Sequence, residues 1–308
     1  MSDREARRDS AGVSPERALA AGRAGAIAPW TGRQRSVLAR LSRSWSGRLG
    51  LAIAALLLAM ASVGPTLYPV DPYRMAVAKR LTPPSFEHPL GTDEFGRDVL
   101  ARIVHGSRIS LRVGLISVGI GGLVGTALGL AAGLGGRRVD LAISGVVDVM
   151  LAFPGFLLAL AIVATLGPSL ENAMIAIGIR RVPVFVRVVR AGVLQLASAE
   201  FVLAARALGA SPLRVSMLHV LRNVAPTLVV LATLQFPEAL LVSAGLSFLG
   251  LGAQPPLPEW GALLTSARVY LVRAPWLVNV PGAAILVTVL GLNLLGNALR
   301  DVLDPRLK

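Results

Sequence analysis

The sequence predicts an all-α protein that crosses a membrane several times, and two observations carry this prediction. Hydrophobic residues make up 54% of the 308 positions and the mean hydropathy is +0.66, which is typical of proteins with many membrane spans. Several apolar stretches also exceed the roughly 18 residues that a helix needs to cross a bilayer. We expect six transmembrane helices, with a polar loop between the fourth and the fifth.

The N-terminal segment, residues 1–48, has a different composition. It contains ten arginines and four acidic residues and shows no apolar period, which predicts a basic, disordered tail. The transmembrane domain is then expected over 49–308. Its first span, 49–67, contains the sequence AMAS at 59–62, which resembles a signal-peptidase site. A leader of 48 residues is too long for the charged region of a signal peptide, so we expect this span to remain in the protein.

The remaining spans are separated by short polar or Pro- and Gly-rich connections. A proline-rich, charged stretch at 69–107 predicts an aqueous loop. The second span contains seven glycines, and small residues let helices approach closely in lipid. The five later spans are predicted at about 113–134, 141–166, 171–189, 224–249 and 277–299.

Basic residues are distributed unequally between the two sides of this topology. If the N-terminal tail is inside, the inner segments carry 20 Lys and Arg residues and the outer segments carry 8. Loops on the cytoplasmic side are enriched in Lys and Arg. We therefore expect both termini and the loop between spans four and five in the cytoplasm.

The inner loop at 200–223, EFVLAARALGASPLRVSMLHVLRN, predicts two short helices joined by a turn. Gly209 is suited to end the first helix, Ser211 to cap the second and Pro212 to occupy its first position. The second helix would carry four apolar residues on one side: Leu213, Met217, Leu218 and Leu221. Three interpretations are open: a DNA-binding helix-turn-helix, which would hold DNA against the membrane; an amphipathic segment at the membrane surface; or a docking element for a cytoplasmic partner.

The stretch LAARALGASPLRVSMLHVLRN resembles the EAA loop of inner-membrane permeases of ATP-binding-cassette (ABC) importers. The residues that match the EAA pattern are Ala204, Ala205 and Gly209, and Leu221 stands at a later leucine of the pattern. The departures are Leu203 in place of a glutamate, His219 in place of an isoleucine and Arg222 in place of a proline. The departures at Leu203 and Arg222 concern the detailed docking contacts and not the role of the loop.

Three further stretches look like the second permease of each pair in the dipeptide, oligopeptide and nickel permease group. They are HPLGTDEFGRDVLARIVHGSRISLRVGL at 88–115, LSFLGLGAQPPLPEWGALL at 246–264 and GNALRDVLDPRLK at 296–308. The resemblance extends from about residue 49 to the end of the chain and does not cover the tail.

The resemblance implies a subunit of a binding-protein-dependent importer in the inner membrane. A second permease would complete the path, two ATP-binding subunits would sit at the cytoplasmic face, and an external binding protein would deliver the solute. The coupling loop would contact the ATPase through Ala204, Ala205, Gly209, Ser211, Leu213, Met217 and Leu221. The transported solute stays open among dipeptides, longer peptides, nickel chelates, glutathione-like peptides and opines.

The residue types independently argue against an enzyme. A phosphate-binding loop needs a Gly-Lys-Ser/Thr sequence, and glycine precedes neither Lys79 nor Lys308, so ATP hydrolysis would fall to another chain. The absence of cysteine and the scattered positions of the three histidines, His88, His105 and His219, predict no metal site and no cofactor. A stand-alone secondary transporter or channel is the alternative function, and an inverted repeat would favour it.

Charged residues within the predicted spans need an explanation. Arg180 and Arg181 lie near the middle of span four, and Glu238 lies deep in span five. The arginines could pair with Glu238, could reach the membrane surface, or could line a cavity and attract a substrate carboxylate. Asp148, nearer the start of span three, could reach the interface, bond a neighbouring helix or take part in gating.

Overall fold

The computed structural model describes residues 37–197, 199–211 and 214–303. Within these ranges the chain is almost entirely helical, and the only extended pairing is a single bridge between Thr92 and Asp98. The helices are α1 (Val37–Leu41), α2 (Trp45–Ser62), α3 (Gly64–Leu67), α4 (Val99–Leu134), α5 (Gly136–Ala152), α6 (Gly155–Leu166), α7 (Leu170–Ala197), α8 (Glu200–Ala207), a π-helix (Val215–Leu221), α9 (Arg222–Phe248), α10 (Trp260–Ala267) and α11 (Trp276–Leu303). The all-α class predicted from the sequence is confirmed.

Four helices are long and apolar enough to cross a membrane: α2, α4, α11, and α9 together with the end of the π-helix. A fifth span results if α5 and α6, which are bent by 95° at their junction, count as one. Helix α7 is also long, at 28 residues, but its arginines lower its hydropathy. The chain is thus a membrane protein with several spans, as its composition predicted.

The second and third predicted spans need correction. Helix α4 begins at Val99 rather than near 113, because the Asp98 side chain accepts a hydrogen bond from the Ala101 N–H and caps a helix within the predicted aqueous loop. The predicted span at 141–166 is two helices rather than one. Pro154 disfavours the helical conformation at Phe153, whose backbone is extended, and the chain turns there.

The closest helix pair in the fold is α4 with α7. Glycines spaced four residues apart on α4 face side chains spaced four residues apart on α7, in the pairs Gly121 with Arg181, Gly125 with Phe185, Gly129 with Val189 and Gly133 with Val193. A Cβ atom added at Gly125 would lie only 2.4 Å from the Cβ of Phe185. Because the numbers rise together, the two helices run parallel, with backbones held close by the glycine row.

Because α4 and α7 run parallel, the bent pair α5 and α6 has to return the chain from one end of the bundle to the other. The end of α4 and the beginning of α7 lie at opposite ends of the packed pair, so α5 and α6 must carry the chain back. Asp140, early in α5, pairs with Arg190, and Asp148, later in α5, pairs with Arg187. These contacts show that α5 runs antiparallel to α7.

Helix α11 packs against both α2 and α9. A Cβ atom at Gly50 of α2 would contact the Leu295 backbone, and one at Gly291 would contact Ile53, so α2 and α11 run antiparallel. Gly296 faces Leu234 of α9 in the same way. The buried core lies between α4, α6, α7 and α9 and includes Val113, Ile177, Phe185, Ala239 and Leu246.

We predict that Gly125→Ala destabilises the protein by about 1–3 kcal/mol, the usual cost of overpacking, because the new methyl group would overlap Phe185. Gly119→Ala is the matched control. Gly119 lies on the same helix, but no atom of a neighbouring segment lies within 4 Å of a Cβ at that position. Thermal unfolding of the purified variants in detergent measures the difference. Equal unfolding midpoints for the two variants would contradict the glycine-row packing.

Candidate functional site

The inner loop contains the turn that its sequence predicted. Gly209 has a φ of +81°, and the Ala210 N–H donates to the Ala205 carbonyl at 3.0 Å, which closes α8 with a Schellman-type end. Ser211 caps the second helix, because its Oγ accepts from the Arg214 N–H at 3.3 Å. Pro212 and Leu213 lie outside the described residues.

The second helix of the loop is a π-helix over Val215–Leu221 and not the predicted α-helix. Its wider turn rotates the side chains away from the face that a 3.6-residue period predicts. Leu218 is exposed and Leu221 is half-buried, whereas Val215 and Val220 are buried. The expectation that Leu218 and Leu221 belong to a face that contacts a partner stays a prediction; Leu213 lies outside the described residues, as does the side chain of Met217.

The inward face of the loop is anchored to the ends of the closely packed helices. Val202 of α8 and Val215 and Val220 of the π-helix form one buried cluster with Leu130, Val189, Val193 and Val224. Leu130 belongs to α4, and Val189 and Val193 belong to α7. A displacement of the loop would disturb the packing at the ends of both helices, because buried side chains leave few voids.

The outward face of the loop is apolar and exposed. It presents Phe201, Leu203, Leu208 and Leu218, and Leu208 is 89% exposed at the turn. The rings of Phe201 and His219 lie 6.2 Å apart and connect the two helices on this face. Of the residues expected to contact a partner, Ala204, Gly209 and Ser211 are exposed here and Ala205 is half-buried. The sequence analysis missed Phe201, Leu203 and Leu208, although three consecutive apolar residues at 201–203 indicate a helix with apolar side chains on more than one side.

The charged residues of the predicted spans meet in one cluster. Arg180 Nη2 lies 2.6 Å from Glu238 Oε1, and Arg181 Nη1 lies 3.2 Å from Glu238 Oε2. The ion pair that the sequence offered as one of three interpretations is therefore present. Arg181 is 1% exposed, and its Cβ faces Gly121 at the outer end of the glycine row.

A second group of ion pairs lies on the exposed side of α7. Arg187 Nη2 lies 2.8 Å from Asp148 Oδ1, and Arg190 Nη2 lies 2.7 Å from Asp140 Oδ2. Asp148 thus bonds a neighbouring helix, which was one of the three interpretations of this residue. Both pairs hold α5 against α7.

A cavity of about 610 Å³ lies between α7, α9 and α11, close to the inner loop. Apolar residues form most of its wall, and the polar groups in it come from Gln195, Asn223, Thr227 and Arg300. Asn223 is the second residue of α9, so the cavity opens where the loop joins the spans. It brings four polar side chains together in a largely apolar wall near the inner loop.

The segment before α4 is held by a buried charge network. Arg97 Nε donates to Asp93 Oδ2 at 2.6 Å, and Arg102 Nε lies 3.6 Å from the same oxygen. Arg102 also reaches the Pro72 carbonyl at 3.3 Å and the Pro256 carbonyl at 3.5 Å, so it connects two distant segments. Burial raises the pKa of Glu94, next to Asp93, above its usual range.

Asp98 connects three elements of the same region. Its Oδ2 accepts from the Tyr68 hydroxyl at 3.1 Å and lies 2.8 Å from His88 Nδ1, while its Oδ1 caps α4. Burial and the charge of Asp98 raise the pKa of Tyr68 to about 12, so this hydroxyl stays protonated and continues to donate. The motif around 88–98 therefore builds a rigid structure at the start of α4. Across the described ranges, no group of three or more His, Asp or Glu side chains is placed to hold a metal ion.

The chain was compared with known families and proteins. Residues 125–308 match the family described as the binding-protein-dependent transport system inner membrane component. Residues 33–84 match the N-terminal transmembrane domain of oligopeptide transport permease C.

Individual relatives agree with these matches. The chain is 46% identical to the dipeptide transport system permease protein DppC of Alkalihalophilus pseudofirmus, over 92% of each chain. It is 43% identical to the glutathione transport system permease protein GsiD of Pectobacterium atrosepticum, over 85% of this chain and 89% of the relative.

Among solved structures, an inward-facing form of the MetNI methionine ABC transporter matches with a TM-score of 0.53 and 20% identity. The match covers 65% of this chain and 95% of that chain. At this level of identity the likeness concerns the fold alone.

We predict that Glu238→Gln lowers stability by about 3–5 kcal/mol, because it leaves the buried Arg181 without a counter-charge. Asp148→Asn is the control, since it removes an acid from an exposed pair, and such pairs contribute about 0–1 kcal/mol. The midpoint of thermal unfolding in detergent is the measurement. Similar midpoints for both variants would show that the cluster does not depend on Glu238.

Proposed function

Because the chain belongs to the family of binding-protein-dependent transport system inner membrane components, and so is an ABC-transporter permease, we propose that it forms half of a translocation path for peptides or similar small solutes. It is a multi-pass protein of the inner membrane. The identity of 46% to a dipeptide permease over 92% of the chain is the observation that carries the peptide assignment.

The partners follow from this assignment as part of the proposal. A second permease supplies the other half of the path, two ATP-binding subunits supply the energy, and an external binding protein delivers the solute. The lack of a Gly-Lys-Ser/Thr phosphate-binding sequence in this chain supports ATP hydrolysis on a partner. On this proposal the chain is a transport subunit and not an enzyme, and it requires no cofactor.

We propose that the outward face of the inner loop docks the ATP-binding subunit. Phe201, Leu203, Leu208 and Leu218 are exposed apolar side chains on the short segment between two long helices. Exposed apolar side chains in a group favour a protein partner. The buried valines behind them connect this surface to α4 and α7, so closure of the partner would move both helices together as a lever.

We propose that the path runs between α7 and α9. The cluster of Arg180, Arg181 and Glu238 joins these two helices, and the cavity of about 610 Å³ lies between them nearer the inner loop. Polar groups inside a membrane domain favour a water-filled pathway, because lipid would not solvate them.

We also propose six crossings, with both termini and the basic tail at 1–48 in the cytoplasm. The parallel packing of α4 and α7 supports a return crossing by α5 and α6. The excess of 20 basic residues over 8 supports the orientation.

The docking proposal predicts that Leu208→Asp abolishes ATP-dependent peptide uptake while the protein remains inserted, because a charge would occupy the most exposed apolar position of the loop. Leu38→Asp is the control: Leu38 is also an exposed leucine, lies in α1, and falls on the same side of the proposed topology. Uptake of a radiolabelled dipeptide by cells that express each variant is the measurement.

Equal uptake by the Leu208→Asp variant and the wild type would exclude the loop as the docking surface. Uptake that persists when the cells cannot hydrolyse ATP would instead favour the stand-alone transporter.

The topology predicts which engineered cysteines react with a thiol reagent that cannot cross the membrane. Cysteines at Ala11 and Leu208 should react only after lysis, whereas one at Val272, 95% exposed between α10 and α11, should react in intact spheroplasts. The native chain has no cysteine, so the background is zero. The reverse labelling pattern would invert the orientation, and labelling of all three before lysis would rule out six crossings.

A further inference from the structure

The charge of the Arg180–Arg181–Glu238 cluster is not balanced. One carboxylate faces two guanidinium groups, at 2.6 and 3.2 Å, and guanidinium stays charged at any physiological pH. No other carboxylate of the described residues lies within ion-pair distance of either arginine. One positive charge is therefore uncompensated inside a membrane domain.

The hydrogen bonds of the cluster are also incomplete. The Nε atoms of both arginines and the Nη2 atom of Arg181 are buried without a partner among the described residues. A buried N–H without an acceptor costs free energy, and more so when it is charged. One additional anionic acceptor at Arg180 would balance the excess charge and accept hydrogen bonds from the Arg180 guanidinium.

The two arginines differ in their freedom to meet such an acceptor. Arg181 is fixed, because it is 1% exposed and its Cβ packs against the α4 backbone at Gly121. The side chain of Arg180 is 17% exposed and that of Glu238 is 46% exposed, so the cluster is open on their side.

Arg180 lies at the bend between α5 and α6. A Cβ atom at Gly155, the first residue of α6, would lie 2.4 Å from Arg180 Nε. Because Gly155 has no side chain, the Arg180 guanidinium can occupy the space next to it.

We propose that this cluster binds a carboxylate of the transported solute, with Arg180 as the contact residue and Arg181 as a positioning residue that retains Glu238. This proposal rests on the proposed function. When the solute carboxylate enters, Arg180 turns to it in a two-pronged hydrogen bond, and Arg181 keeps its bond to Glu238. Two guanidinium groups then face two carboxylates, and the excess charge is removed. The preferred solutes are small acids, such as peptides with an unmodified C-terminus.

Binding is tested on the purified full-length chain in detergent, with glycyl-leucine and glycyl-leucinamide as probes at equal ionic strength. A ligand in tenfold excess over its Kd should raise the unfolding midpoint by about 2 °C. We expect this rise for the free acid and not for the amide, in the wild type and in Arg187→Gln. Arg187 lies on the same helix but pairs with Asp148 outside the cluster, so it is the matched control.

We expect Arg180→Gln to lose the stabilisation by the free acid. Its remaining Arg181–Glu238 pair is charge-balanced, so the variant should still fold. An equal response of Arg180→Gln and the wild type, an equal effect of acid and amide, or no response in the wild type would each overturn the proposal. So would an equal effect of chloride, which would indicate a site for small anions in general.

Uptake in cells separates this proposal from the proposed function. Glycyl-leucine uptake by the wild type tests the permease function itself, and we expect Arg180→Gln to reduce it about tenfold with normal expression. If Arg180→Gln takes up glycyl-leucine as fast as the wild type, the cluster is only an internal ion pair and the carboxylate site is excluded. If the wild type imports no peptide, the proposed function fails, whatever the binding assay shows.

Discussion

The close approach of α4 and α7 along a row of glycines is the constraint on which the rest of this structure depends. Because Gly121, Gly125, Gly129 and Gly133 have no side chains, the two backbones pack in parallel without space between them. The row extends over about 18 Å, at the helical rise of 1.5 Å per residue. Arg181 lies at its first step, and Val193, which anchors the inner loop, lies at its last. The charged cluster and the loop are therefore attached to the same rigid unit.

This arrangement explains how buried charges are tolerated within a helical bundle. Arg181 is held between α4 and α9, where it cannot reach water, and Glu238 supplies the counter-charge. An unpaired charge at this depth would be strongly unfavourable. Arg180 is not needed to balance the charge of Glu238, since the guanidinium of Arg181 alone would do so. Its presence at the open side of the cluster, beside Gly155, is the feature that a purely structural ion pair does not require.

The inner loop combines two opposite requirements on one short segment. Its valines are buried and attach it to α4 and α7, whereas Phe201 and three of its leucines are exposed. The π-helix at Val215–Leu221 serves both, because its wider turn places Val215 and Val220 inward and Leu218 outward. A regular α-helix with the same sequence would distribute these side chains differently. The exposed Leu203, at the position where the EAA pattern has a glutamate, extends this apolar surface.

The sequence by itself determined the class of protein, the approximate positions of α2, α9 and α11, and the turn and cap of the inner loop. These features depend on local properties: the length of each apolar stretch, the conformational freedom of Gly209 and the ability of Ser211 to cap a helix. It also predicted, as one of three interpretations, that Arg180 and Arg181 pair with Glu238, because opposite charges at similar depth in a membrane stabilise each other. Only the tertiary structure decided the 95° bend at Pro154, the start of α4 at Val99 and the π-helical turn. The bend and the start of α4 have local causes, Pro154 and the Asp98 cap, which the apolar pattern of the spans does not register. The uncompensated charge at Arg180 depends on which acids reach it in three dimensions, so no window of sequence contains it.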